Sequence, residues 1–220
     1  MNIPIKRAAF ALLLAGLTTH THAAVVAEWS GAQEIRDNDA SGVAYSFTLS
    51  GQPSEITGIS VSLSVSGGWN GDLYAYLSHG DGFAVLLNRV GVMTAGSDGY
   101  GNTGFDVTLS SGAGADIHSY QGSNPSYNES GQLTGNWAAD GRFLDPTSSV
   151  RANTLDVFIN GLNPNGLWTL FIADLSGGEL STLTSWKVDI VPEPSSLALL
   201  LAGALALVSL SRRRVKKLQG

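Results

Sequence analysis

The stretch that most constrains the fold runs from residue 59 to 65, where apolar side chains alternate with serines. Its apolar members are Ile59, Val61, Leu63 and Val65. A period of two places alternate side chains on opposite faces of an extended strand. A turn with three glycines follows directly at 67–71. This pattern predicts a strand with one buried face and one polar face.

Similar short runs recur along the chain, separated by turns rich in glycine, proline and asparagine. Strands are also predicted at 43–49, 72–78, 83–88, 105–109, 155–159, 167–175 and 183–190. Because no amphipathic helix interrupts them, we expect an all-β chain folded as an antiparallel, jelly-roll-like β-sandwich. Residues 29–41 are predicted to be a loop. Residues 110–154 lack periodicity and are expected to wrap the fold or to build a site, two alternatives that the pattern leaves open.

Several short motifs occur in a recognisable order. They are IRDND at 35–39, VSL at 61–63, GDLYAYL at 71–77, FDVTL at 105–109, NGLWTL at 165–170, Asp174, and LTSWKV at 183–188. In this order, residues 28–190 resemble the P/Homo B domain. The resemblance implies a jelly-roll β-sandwich. In proprotein convertases this domain lies beside a subtilisin-like protease and supports its folding. The present chain has no room for that protease, so no catalytic role is carried over.

The C-terminal stretch 191–220 has a different character. A Pro192-Glu193-Pro194 kink precedes an uncharged run of about seventeen residues, 195–211, which as a helix spans roughly 25 Å. Basic residues follow at Arg212, Arg213, Arg214, Lys216 and Lys217. Because cytoplasmic flanks of membrane segments are rich in Lys and Arg, this order predicts a transmembrane helix with the basic cluster in the cytoplasm. A plain tail anchor or a buried C-terminal helix is the alternative, and the five cations argue against burial.

Pro192, Glu193 and Pro194, the apolar run and the basic end together resemble the PEP-CTERM sorting signal of Gram-negative bacteria. The resemblance implies processing near the motif by exosortase, a membrane-embedded cysteine transpeptidase. It also implies a precursor in the inner membrane with its ectodomain in the periplasm. After processing, the protein is expected at the cell surface or in the extracellular matrix, associated with exopolysaccharide and biofilm formation.

The N-terminus predicts a second targeting segment. Lys6 and Arg7 precede a ten-residue apolar run at 8–17, and small residues at 21 and 23 suit a cleavage site. Cleavage is expected after Ala23, with Ala24 as the alternative. The chain is therefore divided into a signal peptide (1–23), a β-sandwich ectodomain (24–190) and a sorting signal (191–217).

The ectodomain is strongly acidic. Between residues 24 and 191 lie five basic and seventeen acidic side chains, a formal charge of −12. Such a surface repels nucleic acid, so no nucleic-acid partner is expected, whereas divalent cations are tolerated. The chain has no cysteine, so no disulfide stabilises the fold.

Residues suited to nucleophilic catalysis are scarce. Only His79 and His118 follow the predicted signal peptide, and both are expected in solvated loops. Neither a G-x-S-x-G elbow nor an H-E-x-x-H zinc motif is present. We therefore predict that the protein is not an enzyme. An unrecognised hydrolase with paired carboxylates remains the second alternative, because acids are plentiful.

Calcium is the cation that the residues suit best. Asp37, Asn38 and Asp39 place three oxygen-bearing side chains in one turn, and hard oxygen donors in loops favour calcium. Asp72 and Asp174 are weaker candidates at strand ends. Alternatively, all of these residues are ordinary turn formers and strand-edge charges.

Two tryptophans are candidates for a glycan surface, because Trp69 and Trp137 are predicted to lie in loops. Trp168 and Trp186 are predicted to lie in the core. The leading hypothesis is a non-catalytic exported protein with a structural or adhesive role at the surface or in exopolysaccharide. The alternative is a calcium-assisted glycan-binding module.

Overall fold

The computed structural model describes residues 24–52, 55–159 and 161–192. In this part of the chain, ten strands form two sheets around one apolar core. The strands are β1 (Ala24–Ile35), β2 (Asp39–Leu49), β3 (Ile56–Gly67), β4 (Leu73–His79), β5 (Gly82–Asn88), β6 (Phe105–Ser110), β7 (Ser126–Tyr127), β8 (Leu133–Trp137), β9 (Gly166–Asp174) and β10 (Ser181–Pro192). Short 3₁₀ helices occupy Asn70–Asp72, Ile117–Ser123 and Leu155–Phe158. The predicted all-β sandwich is confirmed.

The two sheets differ in width. The larger has the order β1-β10-β3-β6-β8-β7, and the smaller has the order β2-β9-β4-β5. Neighbouring strands are antiparallel except β6 and β8, which are parallel. The parallel pair departs from the purely antiparallel arrangement predicted. It arises because residues 111–132 carry the chain back over the sheet before β8 begins, as parallel neighbours require a crossover connection.

The alternating stretch behaves as its pattern predicts. On β3, Ile59, Val61, Leu63 and Val65 are buried, while the serines between them are half-buried. Val61 lies opposite Val188 of β10 on one side and Leu109 of β6 on the other. The apolar face of β3 therefore lies at the centre of the core, where burial of each such side chain contributes about 1.5–3 kcal/mol.

Two segments have a structure that differs from the one predicted for them. Residues 29–41, predicted as a loop, belong largely to β1 and β2. β1 is an edge strand with two bulges, and its polar sequence breaks the alternation that marks a strand. Residues 155–159, predicted as a strand, form a 3₁₀ turn in which Val157 N–H donates to the Thr154 carbonyl. A short apolar run does not by itself distinguish strand from buried helix.

The segment 110–154 is braced internally by a largely buried network of charged and polar side chains. His118 Nδ1 lies 2.7 Å from Oδ2 of Asp140, and both side chains are fully buried. Arg142 binds the other oxygen of Asp140 at 3.1 Å and Asp116 at 3.0 Å. Arg151 adds a second contact to Asp116 at 3.2 Å. The segment, whose role the sequence left open, thus covers the edge strand β5, to which main-chain hydrogen bonds join it, such as that from the Asp140 N–H to the Leu86 carbonyl.

The predicted signal peptide (1–23) and the predicted transmembrane helix lie outside the described residues. Within the described ranges, no helix is long and apolar enough to cross a membrane.

Candidate functional site

Two aspartates meet at one end of the smaller sheet. Asp72 ends the 3₁₀ turn that leads into β4, and Asp174 is the last residue of β9. β4 and β9 are antiparallel, with Leu73 opposite Asp174. The N–H of Leu175 donates to the Asp72 carbonyl at 2.8 Å, which fixes the two strand ends together. The pairing of distant strands therefore places both carboxylates at the same end of the sandwich.

Both carboxylates are buried and poorly satisfied. The exposed fraction is 1% for Asp72 and 0% for Asp174. Neither side-chain oxygen of Asp72 has a hydrogen-bond partner, and Oδ2 of Asp174 has none. Oδ1 of Asp174 accepts from the Ser176 N–H at 3.1 Å. Buried polar groups are nearly always paired, so three free carboxylate oxygens in one place indicate an incomplete site.

The electrostatics of the pair follow from this burial. Burial, followed by the neighbouring charge of Asp174, raises the pKa of Asp72 to about 6. Burial also raises the pKa of Asp174, and main-chain N–H groups of Ser176 and Asn38 partly oppose the shift. The charge of Asp174 therefore makes ionisation of Asp72 more costly, and the charge of Asp37 does the same to Asp174.

The charge of Arg89 acts on both carboxylates and lowers the pKa of each. Its Nε donates to the Gly71 carbonyl at 3.2 Å. Within the described part of the chain, no ion pair of 4.0 Å or less joins Arg89 to Asp72 or to Asp174. Arg89 lowers the pKa of Asp72 at a distance but leaves its oxygens without a donor.

The predicted calcium ligands are Asp37, Asn38 and Asp39, in the turn next to this pair. The side chains of Asp37 and Asp39 already accept hydrogen bonds from other residues. Asp37 accepts from the Gly178 N–H at 3.0 Å. Asp39 accepts from the N–H and hydroxyl of Ser41 at 2.9 and 2.6 Å. Asn38 has a left-handed φ of 51°, and its main-chain N–H lowers the pKa of Asp174. Among the described residues, no group of three or more acids and histidines is arranged to hold a metal ion. The oxygens left free belong instead to Asp72 and Asp174.

Trp69 lies directly beside the two carboxylates. Its carbonyl accepts from the Asp72 N–H at 3.1 Å, and 40% of the residue is exposed. Its ring packs on Gly178, where an added β-carbon would lie 2.7 Å from ring atom Cζ3. The predicted loop position of Trp69 is confirmed, and its partly exposed ring packs on the turn that follows Asp174.

The prediction for Trp137 was wrong. Trp137 ends β8, opposite Leu109 of β6, and only 5% of it is exposed. Its Nε1 donates to the Thr134 carbonyl at 3.0 Å. A buried indole has no free face for a sugar, so Trp137 belongs to the core together with Trp168 and Trp186.

An open cavity of about 500 Å³ lies at the same end of the sandwich, although neither Asp72 nor Asp174 is among its lining residues. Arg89, Ser97, Asp98 and Ser176 form part of its wall. Ser176 is also the residue whose N–H supports Asp174, and the charge of Asp98 acts on Asp72.

The two histidines are structural, contrary to their predicted positions in solvated loops. His79 ends β4, is 6% exposed and stacks on Trp168 with ring centroids 4.1 Å apart. Its ring nitrogens lie 2.8 and 2.7 Å from the carbonyl oxygens of Leu167 and Asn163. The ring nitrogens of His118 contact Asp140 and the Val92 carbonyl.

The described chain ends where the predicted sorting signal begins. Val191 and Pro192 complete β10, and Pro192 lies opposite Ile56 of β3. Glu193, Pro194 and the basic cluster lie outside the described residues. Residues 191–214 match the model of the PEP-CTERM protein-sorting motif.

The chain carries a PEP-CTERM sorting motif. This motif marks it as an exported protein that exosortase sorts and that is anchored through its C-terminal region. The match covers the predicted tripeptide, the apolar run and the first three arginines of the basic cluster.

Other comparisons are distant. No curated protein matches the chain. The chain is similar to a crystal structure of the serine protease of Aeromonas sobria at 12% identity and a TM-score of 0.42, over 76% of this chain and 26% of that one. It is also similar to the same protease in complex with a chaperone, at 12% identity and a TM-score of 0.43, over 79% and 28% of the two chains. The chain thus spans about a quarter of their length. The P/Homo B resemblance stays a prediction.

Proposed function

We propose that this protein is a non-catalytic β-sandwich that exosortase processing delivers to the cell surface or the exopolysaccharide matrix, where its role is structural or adhesive. The observation that carries the proposal is the boundary between domain and motif. The sorting motif begins at Val191, and β10 ends at Pro192. Cleavage beyond this boundary leaves every described strand in place.

The position of β10 in the sheet supports release of an intact domain. β10 lies between β1 and β3, so it pairs along both edges. Val188 and Ile190 are fully buried in the core. A domain whose last strand is interior and complete needs nothing from the membrane segment for its stability.

The state of the histidines supports a non-catalytic role. A general base must offer a free ring nitrogen within reach of a nucleophile. Both nitrogens of His79 and of His118 are already occupied by protein acceptors. The P/Homo B resemblance supports the same role, since in the convertases that domain lies beside the protease and supports its folding.

Intact-mass analysis of the exported protein tests the sorting step. From a host with its own exosortase, we expect a product that lacks residues from about Ser195 onward and that has lost residues 1–23. A matched host without exosortase should yield a longer, membrane-bound form. A product from the first host that still ends at Gly220 would contradict the proposal.

Trp69 favours a second candidate function, glycan binding. Its indole is partly exposed and adjoins the acidic pair, an arrangement suited to stacking on a sugar ring. On a glycan array with calcium present, Trp69→Ala should lose binding that Phe143→Ala retains, because Phe143 is similarly exposed at 49% but belongs to the 142–150 loop. Absence of binding by the unmodified protein, with and without calcium, would reject this candidate.

A further inference from the structure

We propose that Asp72 and Asp174 hold a calcium ion at the end of the sandwich formed by the start of β4 and the end of β9. The inference begins from the three carboxylate oxygens that are buried and have no partner. Two ionised carboxylates buried side by side are strongly destabilising unless an opposite charge compensates them. The structure leaves three groups that could do so, namely a proton, Arg89 and a cation.

Arg89 does not fill this role in the observed arrangement. Its Nε is directed to the Gly71 carbonyl, and neither aspartate lies within ion-pair distance. The charges around the pair are otherwise acidic, because Asp37 and Asp98 both act on Asp72. A proton relieves one carboxylate only, whereas a divalent cation satisfies both together.

The side chain of Asn70 adds a further oxygen in the same turn. Its Nδ2 donates to the Gly104 carbonyl and to the Tyr120 hydroxyl, both at 3.1 Å. This fixes the orientation of the amide. Its Oδ1 is buried and has no partner. The 3₁₀ turn Asn70–Asp72 therefore presents three free oxygens, and Asp174 presents a fourth.

The chemistry of these donors selects the ion. All four are hard oxygens, and no sulfur or imidazole ligand adjoins them among the described residues. Oxygen donors of this kind suit calcium, which accepts irregular coordination completed by water. Magnesium requires near-octahedral geometry and releases its water reluctantly, so we expect it to bind more weakly.

A bound ion would join three parts of the chain. The Asn38 N–H and the Ser176 N–H already support Asp174, and Asp37 accepts from Gly178. Neutralising the pair would therefore stabilise the 37–39 turn, the end of β9 and the Trp69 turn together. The site differs from the 37–39 ligand set predicted from sequence, although it lies beside it.

Calcium binding is tested on the exported protein after treatment with a chelator. We expect calorimetric binding at a calcium concentration of about 0.1–1 mM, typical of extracellular modules. At a hundredfold excess over Kd the melting temperature should rise by about 5–10 °C. Magnesium should give a smaller shift. No binding and no shift at about 5 mM calcium would overturn the proposal.

Asp72→Asn tests the ligand assignment. Loss of one charged ligand should weaken calcium binding at least about tenfold. Without calcium, the variant should melt no lower than the unmodified protein, because it removes a buried charge. Asp81→Asn, in the exposed turn at the opposite end of β4, makes the same charge change and should leave the calcium response intact. An undiminished calcium response in Asp72→Asn would overturn the assignment.

A terbium experiment keeps the test independent of variant folding. Terbium replaces calcium at oxygen sites and is sensitised by a nearby indole, here Trp69. The unmodified protein should give terbium luminescence that calcium displaces. Luminescence that calcium does not displace, or none at all, would count against the site. Calcium binding here does not depend on where the protein is finally deposited, so its failure would leave the sorting result unaffected.

Discussion

Asp72 shows how strongly the ionisation of a side chain depends on its surroundings. In sequence it is one acid among eighteen, in a GDL turn. In the fold it is 1% exposed, faces a second buried carboxylate and has a pKa raised to about 6 by burial and by Asp174. An ordinary aspartate would be fully ionised well below that pH.

The raised pKa of Asp72 predicts how stability depends on pH. A group whose pKa is higher in the folded state stabilises the fold at low pH, and this contribution is lost as pH rises through the folded value. Without calcium, the melting temperature of the unmodified protein should therefore fall relative to Asp72→Asn as pH rises from about 4 to above 6.

Melting curves of the two proteins in chelator, recorded over this range, check the prediction. The comparison with Asp72→Asn removes the contributions of other groups that titrate in both proteins. Calcium should suppress the difference, because protons and the ion compete for the same oxygens. A constant gap between the two proteins across the range would show that Asp72 does not titrate as described.

The residue scale also shows the limits of inference from neighbouring positions. Asp37, Asn38 and Asp39 are adjacent in sequence, yet the side chains of Asp37 and Asp39 accept main-chain N–H groups of Gly178 and Ser41. The Asp39 bond is a local Asx turn, whereas the Asp37 bond joins residues that are far apart in the sequence. Asp72 and Asp174 carried a weak signal, their places at strand ends, which became informative only when the strands were paired.

Among the elements, β10 has the most consequential position. It pairs with β1 along one edge and with β3 along the other, and it ends as the sorting motif begins. Its residues Leu183, Trp186, Val188 and Ile190 belong to the core. The strand that borders the processing signal is therefore also a central strand of the larger sheet.

Truncation tests this position. A chain ending at Pro192 should unfold in urea at the same midpoint as the exported protein. A chain ending at Lys187 loses the fully buried Val188 and Ile190 and should be less stable by more than about 4 kcal/mol, or should not fold. Tryptophan fluorescence follows the transition. Equal midpoints for the two truncated chains would contradict the interior role of the end of β10.

Element prediction succeeded where a pattern is local and regular. The alternation of β3 and the apolar run of β9 identify strands without reference to the rest of the fold. It failed for β1, whose bulged polar sequence is a strand because β10 pairs with it. It failed again at Leu155–Phe158, which a 3₁₀ turn places against the core, with Leu155 and Phe158 buried.

At the scale of the whole molecule, charge separates the chain into parts with different tasks. Seven of the twelve basic residues lie in the terminal segments 1–23 and 193–220, and the domain between them is acidic. This division is typical of an exported protein with a C-terminal anchor, since basic flanks direct the orientation of membrane segments. The PEP-CTERM motif agrees with this division.

Sequence by itself determined the PEP-CTERM sorting motif, the all-β class and the acidic character of the domain. Each depends on composition or on periodicity within a few residues, which neighbouring residues dictate directly. Only the tertiary structure decided that Asp72 meets Asp174, that Trp69 is exposed while Trp137 is buried, and that His118 binds Asp140. These facts depend on which distant strands pair and on which face of each strand is buried. The packing of the whole core determines both.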